Sequence, residues 1–508
     1  MSRTENAIKN AGFGIICKIA IMIVSFISRT VFIYILGSTY LGVNGLFSEV
    51  LSLLSFAELG FGSAMTFSMY KPVADNDKDR IIRLLNFYKK VYRIIALVIA
   101  CSGLCLVPFI GNIVKGADWL SVRSLQLYFL IFLFNTVIEY FVSYKFTYIN
   151  ALQKNYIATN ISTVVTVTSQ VAQILVIVIY KNFLLYLLVN SAILLISRLF
   201  IVIFLNNKFP ILKEKAVVPL SKEEKEPIFH EVKGLAIHQF ASAAVHSTDN
   251  LIISSMISVV TVGLISSYNM LINSVLGFVV ILFNSVTSGF GNLVAESKIE
   301  NYRQVFKEIN FANFWIYGFC CVAFWILIPP FITLWIGADK LIDNVSFTLI
   351  ILNVYLQGQC TAYNNARIAK GNFNKDKWLA LLQAIINLVV SVVSAKYLEL
   401  VGVYIGTIAS RMIYVLFRPY STYEYLFGEN VKVYYKKFIQ YFIEVVLAAL
   451  VTKWITNIIV HEVTVLSFLI ALLIVAIVPN AFFLACNIKS KELQMWKVRF
   501  KNLGRANK

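Results

Sequence analysis

The amino-acid sequence reads as an all-α integral membrane protein. About fourteen transmembrane helices are expected, in two parallel, pseudo-symmetric six-helix halves followed by a C-terminal pair. Composition, loop charge and an internal repeat carry this reading. Of 508 residues, 59% are apolar and 14% charged, against about 25% charged in a soluble domain. Apolar stretches of roughly 20 residues follow one another with little pause, each long enough for a hydrocarbon core of about 30 Å. They place spans near 12–36, 43–70, 91–114, 121–146, 157–180, 183–205, 234–258, 262–294, 309–333, 344–367, 378–398, 401–417, 438–458 and 463–486. The first apolar run, Ala11 to Leu36, contains Lys18 and Arg29 and closes on no small-residue cleavage site. It is therefore expected to remain a span rather than to act as a secretory signal.

Loop charge sets the orientation. Of the 45 lysines and arginines, 35 fall in segments on the side of the N-terminus and 6 in segments on the other side. Cationic loops stay on the cytosolic face, so both termini are expected there. The formal net charge of +19 then belongs to loops that meet anionic lipid, not to a nucleic-acid surface. The connections on the far side are short: Gly37 to Gly42, Lys181-Asn182, Val259 to Thr261.

The two halves resemble each other. Ser197-Arg198-Leu-Phe-Ile-Val-Ile-Phe204 recurs as Ser410-Arg411-Met-Ile-Tyr-Val-Leu-Phe417, and Gly60-Phe61-Gly62 as Gly289-Phe290-Gly291. A shift of 221 carries Ser162, Thr166, Gln170 and Gln173 onto Gln383, Asn387, Ser391 and Ser394, and Tyr40-Leu41-Gly42 onto Thr261-Val262-Gly263. Six spans per half keep the halves parallel, as in transporters that rock one half against the other. The expected organisation is a half at 1–205, a cytosolic linker at 206–233, a second half at 234–417, two extra spans within 418–488 and a basic tail at 489–508.

Charged side chains inside spans mark the candidate site, because each costs about 2.5–3.5 kcal/mol at the bilayer centre on insertion scales. They are Lys18, Arg29, Arg198, Arg411, Glu49, Glu58, Glu139, Asp249 and Glu444. Lys18 and Arg29, eleven residues apart, fall on one helical face. A shift of 220 places His238 and Asp249 on the same two positions, so the repeat sets basic groups against acidic or titratable ones. Arg198 and Arg411 could equally serve in ion pairs, for example with Glu139. Lys18 and Glu444 lie near enough to span ends to reach the surface. Intramembrane Ser, Thr, Asn and Gln also pack helices together.

No sequence feature points to catalysis. There is no phosphate-cradling glycine loop with lysine, no nucleophile elbow and no metal-ligand spacing. The seven cysteines lie in or at the end of apolar segments without a Cys-x-x-Cys pair, which reads as packing. A non-enzymatic membrane protein without metal or organic cofactor is expected.

Two stretches add a resemblance. Tyr40-Leu-Gly-Val-Asn-Gly-Leu-Phe-Ser-Glu49 and Ala57-Glu-Leu-Gly-Phe-Gly-Ser-Ala64 resemble the start of Wzx-type polysaccharide-repeat flippases. Those proteins belong to the MATE/MOP exporter superfamily, which also holds the lipid II flippases. Ser247-Thr-Asp-Asn-Leu-Ile-Ile253 and Asn292-Leu-Val-Ala-Glu296 are similar to the corresponding regions. The resemblance implies alternating access in a bacterial cytoplasmic membrane. The implied load is an undecaprenyl-diphosphate-linked oligosaccharide, moved from the inner to the outer leaflet for capsule, O-antigen or exopolysaccharide synthesis. It also implies membrane lipids, a polysaccharide polymerase and chain-length machinery as partners. For such a load, Lys18, Arg29, Arg198 and Arg411 would receive the diphosphate. Thr166, Gln170, Gln173, Asn269, Asn273 and Asn387 would line the cavity towards the sugars. Asp249, Glu58, Glu139 and His238 would be the groups open to proton or sodium coupling. The alternative within the same fold is a MATE-like, cation-coupled multidrug exporter, which would depend on carboxylates instead.

Overall fold

The computed structural model describes residues 3–58, 61–296, 299–364, 377–428 and 430–497. Side chains are described within these except at 3–11, 56–57, 63, 231, 233–246, 284–296, 299–302, 377, 421–422 and 425–426. Among the described residues there is no strand, and ten helices are long and apolar enough to cross a membrane. The chain is an all-α, multi-pass membrane protein. Two of the ten, Gly12–Leu54 and Trp378–Tyr420, run for 43 residues each, more than a bilayer crossing needs. Each is broken inside: at Gly37 (φ 82°, ψ 175°) and at Glu399 (φ 47°, ψ −123°). Glycine takes the left-handed region at little cost, so the connection expected at Gly37 to Gly42 shrinks to that one residue.

Compact packing divides the chain into Met1–Ser266 and Ser267–Lys508. The boundary lies at a different place from the linker at 206–233 that the sequence repeat leads one to expect.

The first unit contains α1 (Arg3–Leu54), α2 (Phe61–Ala74), α3 (Lys78–Leu106), α4 (Val122–Ala151), α5 (Asn155–Tyr180), α6 (Phe183–Lys208), α7 (Lys222–Ile252) and the first residues of α8 (Val259–Glu296). Its helix ends are tied locally. Asp77 accepts from Arg80 N, Ser121 from Ser124 N and Asn182 from Leu185 N, each meeting an amide that has no partner inside its helix. Ser221 and Glu224 form a reciprocal capping box on α7. Lys181, left-handed at φ 49°, turns α5 into α6 in two residues. α1 packs on α5 and α7, α3 on α4, and α5 on α6.

Between α7 and α8 the helix loosens into a π turn, Ile253–Ile257, and breaks at the extended residue Ser258. The connection after α3 closes around that break. Lys115 N donates to Ser254 O, and Val259 N donates to Lys115 O. Here the repeat signature becomes a contact. A Cβ on Gly42 would lie 1.8 Å from Val259 O, and one on Gly263 would lie 2.2 Å from Ser38 O and 2.9 Å from Gly42 N. The two glycines that the repeat relates are the positions at which the backbones of α1 and α8 touch.

The second unit contains the rest of α8, then α9 (Ile299–Ile336), α10 (Asn344–Gln359), α11 (Lys377–Thr422), α12 (Lys432–Ile459) and α13 (Val465–Asn487). α10 packs on α9 and α11, and the C-terminal pair α12–α13 packs on α9. Phe314 stacks on Tyr441 with centroids 4.0 Å apart, and Phe483 closes the cluster at 5.1 Å. Van der Waals contact and buried hydrogen bonds, not exclusion from water, hold helices together in lipid. Glu444 is one such tie. It does not reach the surface as its place near a span end suggested: it is 7% exposed, accepting from Gln440 Nε2 at 2.8 Å and from Asn487 Nδ2 at 2.6 Å. Asn487, on the facing helix, draws it inward. Glu444→Ala removes the charged acceptor of buried Asn487, whose Nδ2 keeps only Phe483 O at 3.1 Å, a loss of about 1.5–3 kcal/mol for a hydrogen bond to a charged group. A lowered thermal midpoint in detergent is expected, with Glu462→Ala, at an exposed position, leaving it unchanged.

Candidate functional site

The candidate site in the first unit grows from one face of α1. Ser25 and Arg29 are one turn apart and so point the same way. Ser25 meets Gln170 of α5 through Gln170 Nε2, which donates to Ser25 Oγ at 2.9 Å. One turn down the same α5 face lies half-buried Thr166. Arg29 Nη1 donates to Ser266 Oγ at 2.7 Å, and the Tyr186 hydroxyl lies within electrostatic reach of the guanidinium. Tyr186 is fixed by Phe32 at 5.1 Å and Phe183 at 5.9 Å, while Gln173 Nε2 donates to its carbonyl at 3.4 Å.

The result is a guanidinium ringed by hydroxyls and amides from α1, α5, α6 and α8. Among the described residues no carboxylate stands within ion-pair distance of Arg29, and none stands within that distance of half-buried Lys18. A guanidinium has five N–H donors and no acceptor, so one serine leaves most of its donors open to an anion. Oxyanions with two accessible oxygens, phosphate foremost, suit that planar fork.

Other sequence candidates sit apart from this ring. Arg198 Nη2 pairs with Glu139 Oε1 at 3.4 Å, between α6 and α4, with the Glu139 side chain 62% exposed. These two candidates therefore meet each other. The Glu58 carboxylate faces the hydroxyls of Tyr92 and Tyr140. Ser247 of α7 lies beside Glu49. Asp249 is half-buried one turn before the end of α7. His238 lies on α7, with its side chain outside the described residues.

In the second unit, Arg411 is buried and its Nε donates to Asn353 Oδ1 at 3.2 Å, linking α11 to α10. Asn387 is fully enclosed and its Nδ2 faces Thr407 Oγ1 at 3.4 Å. Nearby Ser391 Oγ donates to Val403 O at 3.1 Å. Gly406 has no room for a Cβ, which would fall 2.2 Å from Ser391 Oγ. The polar stripe of span eleven thus meets the second arm of α11. On α8, Asn269 is half-buried and Asn273 exposed.

Sequence reasoning passed over Tyr186, Tyr92, Tyr140 and Asn353. Aromatic and amide residues in apolar runs carry no distinguishing pattern. Only the neighbours they acquire on folding single them out.

No protein-family model matches the chain, and no curated protein matches it in sequence. Solved structures do match. The chain is similar to the lipid II flippase MurJ in an inward closed conformation, with TM-score 0.67 and 14% identity over 94% of this chain and 99% of that one. The fold is that of MATE and MurJ transporters. An inward-facing multidrug resistance MATE family transporter of the MOP superfamily aligns with TM-score 0.60 and 17% identity, covering 79% of this chain and 97% of that one. A MOP superfamily transporter from Pyrococcus furiosus, described for the reverse polarity of its binding pocket, aligns with TM-score 0.53 and 15% identity, covering 84% and 97%. At these identities the likeness concerns the fold. The chemistry has to come from the residues.

Proposed function

We propose that this protein is a flippase of Wzx type. It carries undecaprenyl-diphosphate-linked oligosaccharide units from the cytosolic to the outer leaflet of a bacterial cytoplasmic membrane by alternating access. The observation that carries the reading is Arg29, a membrane-embedded guanidinium answered by Ser266 and Tyr186 and, among the described residues, by no carboxylate. A cation kept in a span at a cost of about 2.5–3.5 kcal/mol with its donors open suits an anionic load. An exporter of cations would gain nothing from it. Lys18, eleven residues before Arg29 on α1, supplies a second positive charge. Gln170, Ser25 and Gln173 offer the amide and hydroxyl partners that sugars need. The 35 cations on one side against 6 on the other support cytosolic termini, and a polymerase outside would consume the delivered units. Proton or sodium counterflow through Asp249 or Glu58 is the coupling this reading favours.

The test is deletion of the gene in its host. Lipid-linked units are expected to accumulate on the cytosolic leaflet and to clear on complementation. Drug hypersensitivity without such accumulation would instead identify a MATE-like exporter. For the coupling step, Asp249→Asn is expected to uncouple export from ion flux. Export and ion flux both at wild-type level in that variant remove Asp249 from the pathway.

A further inference from the structure

A second polar site lies inside the first unit, among α2, α3, α4 and α5. It is a cavity of about 670 Å³, within the roughly 300–1,000 Å³ of ordinary small-molecule sites. Its lining combines the Glu58 carboxylate with hydroxyls from Thr66, Tyr92 and Thr147, an amide from Asn150 and the ring of Tyr70; no lysine or arginine contributes. The Arg29 ring has the opposite character.

Three features define what fits. First, the carboxylate is reachable. It faces Tyr92 and Tyr140, but an ionised carboxylate has about four lone-pair positions, which leaves room for two further donors. Second, Gly62 keeps the approach open. A Cβ there would stand 3.4 Å from the Tyr92 hydroxyl and 3.8 Å from Glu58 Oε1, so a larger side chain would fill the path. This assigns a purpose to one glycine of the Gly60-Phe61-Gly62 signature. Third, the rim is aromatic: Tyr70 is 46% exposed and Phe67 65% exposed. Ring faces take up the C–H face of a pyranose, and the negative face of the ring welcomes a cation. A carboxylate with no cation beside it repels phosphate and uronate alike.

We infer that this cavity is a sugar subsite, in which Glu58 receives vicinal hydroxyls or an amino group of a neutral or amino hexose. The inference deepens the flippase reading and rests on it. The lining reaches Tyr70, Asn150 and Asn155, close to the ends of α2 and α4 and to the connection 152–154. Loop charge assigns that side to the cytosol, where the load is collected. The Arg29 ring would then hold the diphosphate and the Glu58 cavity would read a sugar, so one unit contains two chemically distinct subsites.

The experiment uses full-length protein in nanodiscs and saturation-transfer NMR with N-acetylglucosamine, glucosamine, galactose and glucuronate as probes. At least one neutral or amino sugar is expected to give a signal that falls tenfold or more in Glu58→Gln and disappears in Gly62→Trp, while glucuronate gives none. Thr66→Val, which adds no bulk, serves as a second variant should Gly62→Trp prove misfolded on size exclusion, and is expected to weaken the signal several-fold. Sugar signals insensitive to all three substitutions, no sugar signal at all, or a glucuronate signal equal to the others overturns the subsite. The deletion experiment separates the two claims. Accumulated lipid-linked units without sugar binding leave the flippase standing and remove the subsite. Glu58-dependent sugar binding without accumulation keeps the cavity and overturns the flippase reading.

Discussion

Arg29→Ala is expected to reduce translocation of lipid-linked units by about 10–100-fold, since each hydrogen bond to a charged group is worth roughly 1.5–3 kcal/mol. The size follows from what surrounds the guanidinium. Ser266 Oγ accepts one of its protons at 2.7 Å, and the Tyr186 hydroxyl supplies a dipole but no full negative charge. The positive charge is therefore available to the load, and alanine removes both charge and donors. Arg29→Lys keeps the charge but loses the planar fork that grips two oxygens at once, so a smaller loss, about tenfold, is expected. Ser266→Ala removes a positioning hydroxyl and should cost less again. The measurement is outward movement of a lipid-linked unit in proteoliposomes, or its cytosolic accumulation in cells carrying each variant. Wild-type rates in Arg29→Ala would show that the load is not read as an anion. Retained export of cationic drugs in that variant would then favour the exporter.

The second large effect is structural. Gly263→Val is expected to prevent recovery of monodisperse protein, or to destabilise it by on the order of 3 kcal/mol, at the upper end of the cost of overpacking. A Cβ at Gly263 would meet backbone, Ser38 O at 2.2 Å and Gly42 N at 2.9 Å, and backbone cannot rotate aside as a flexible side chain can. Gly42→Val faces Val259 O at 1.8 Å and should behave the same way. Gly12→Ala and Gly14→Ala are the controls, because a Cβ at either has no neighbour within 4 Å. Thermal unfolding of detergent-solubilised protein reads the difference. A midpoint for Gly263→Val equal to that of Gly12→Ala would mean that α1 and α8 do not depend on this contact.

Much of the architecture is legible in the chain, and for identifiable reasons. A span needs an apolar run of fixed minimum length, which needs no partner to be recognised. That is why α4, α5, α6, α12 and α13 lie where apolar length places them. The breaks are subtler. Helical geometry persists through most of Gly37 to Gly42 and fails only at Gly37, because a single left-handed residue suffices to redirect a helix. The repeat reads as weak matches in the same order along the chain, at offsets from 213 to 229, and one matched pair, Gly42 with Gly263, lies where two helices touch.

The candidate site was legible only by residue type. Helical periodicity states which side chains share a face, as for Lys18 with Arg29 or Asn387 with Ser391, but not what that face meets. Arg29 gained an open polar ring from residues as far along the chain as Ser266. Arg198 gained Glu139, and its charge is answered within the bundle. Asn387 and Ser391, from the same kind of stripe as Gln170, gained the second arm of their own helix. Composition and apolar length were thus sufficient for an all-α membrane chain of many spans, since each is a property of local sequence against lipid and water. Which buried charges stay available to a ligand was decided by tertiary structure alone. Neutralising a charge takes a partner within about 4 Å, and in this protein those partners come from helices distant in the chain.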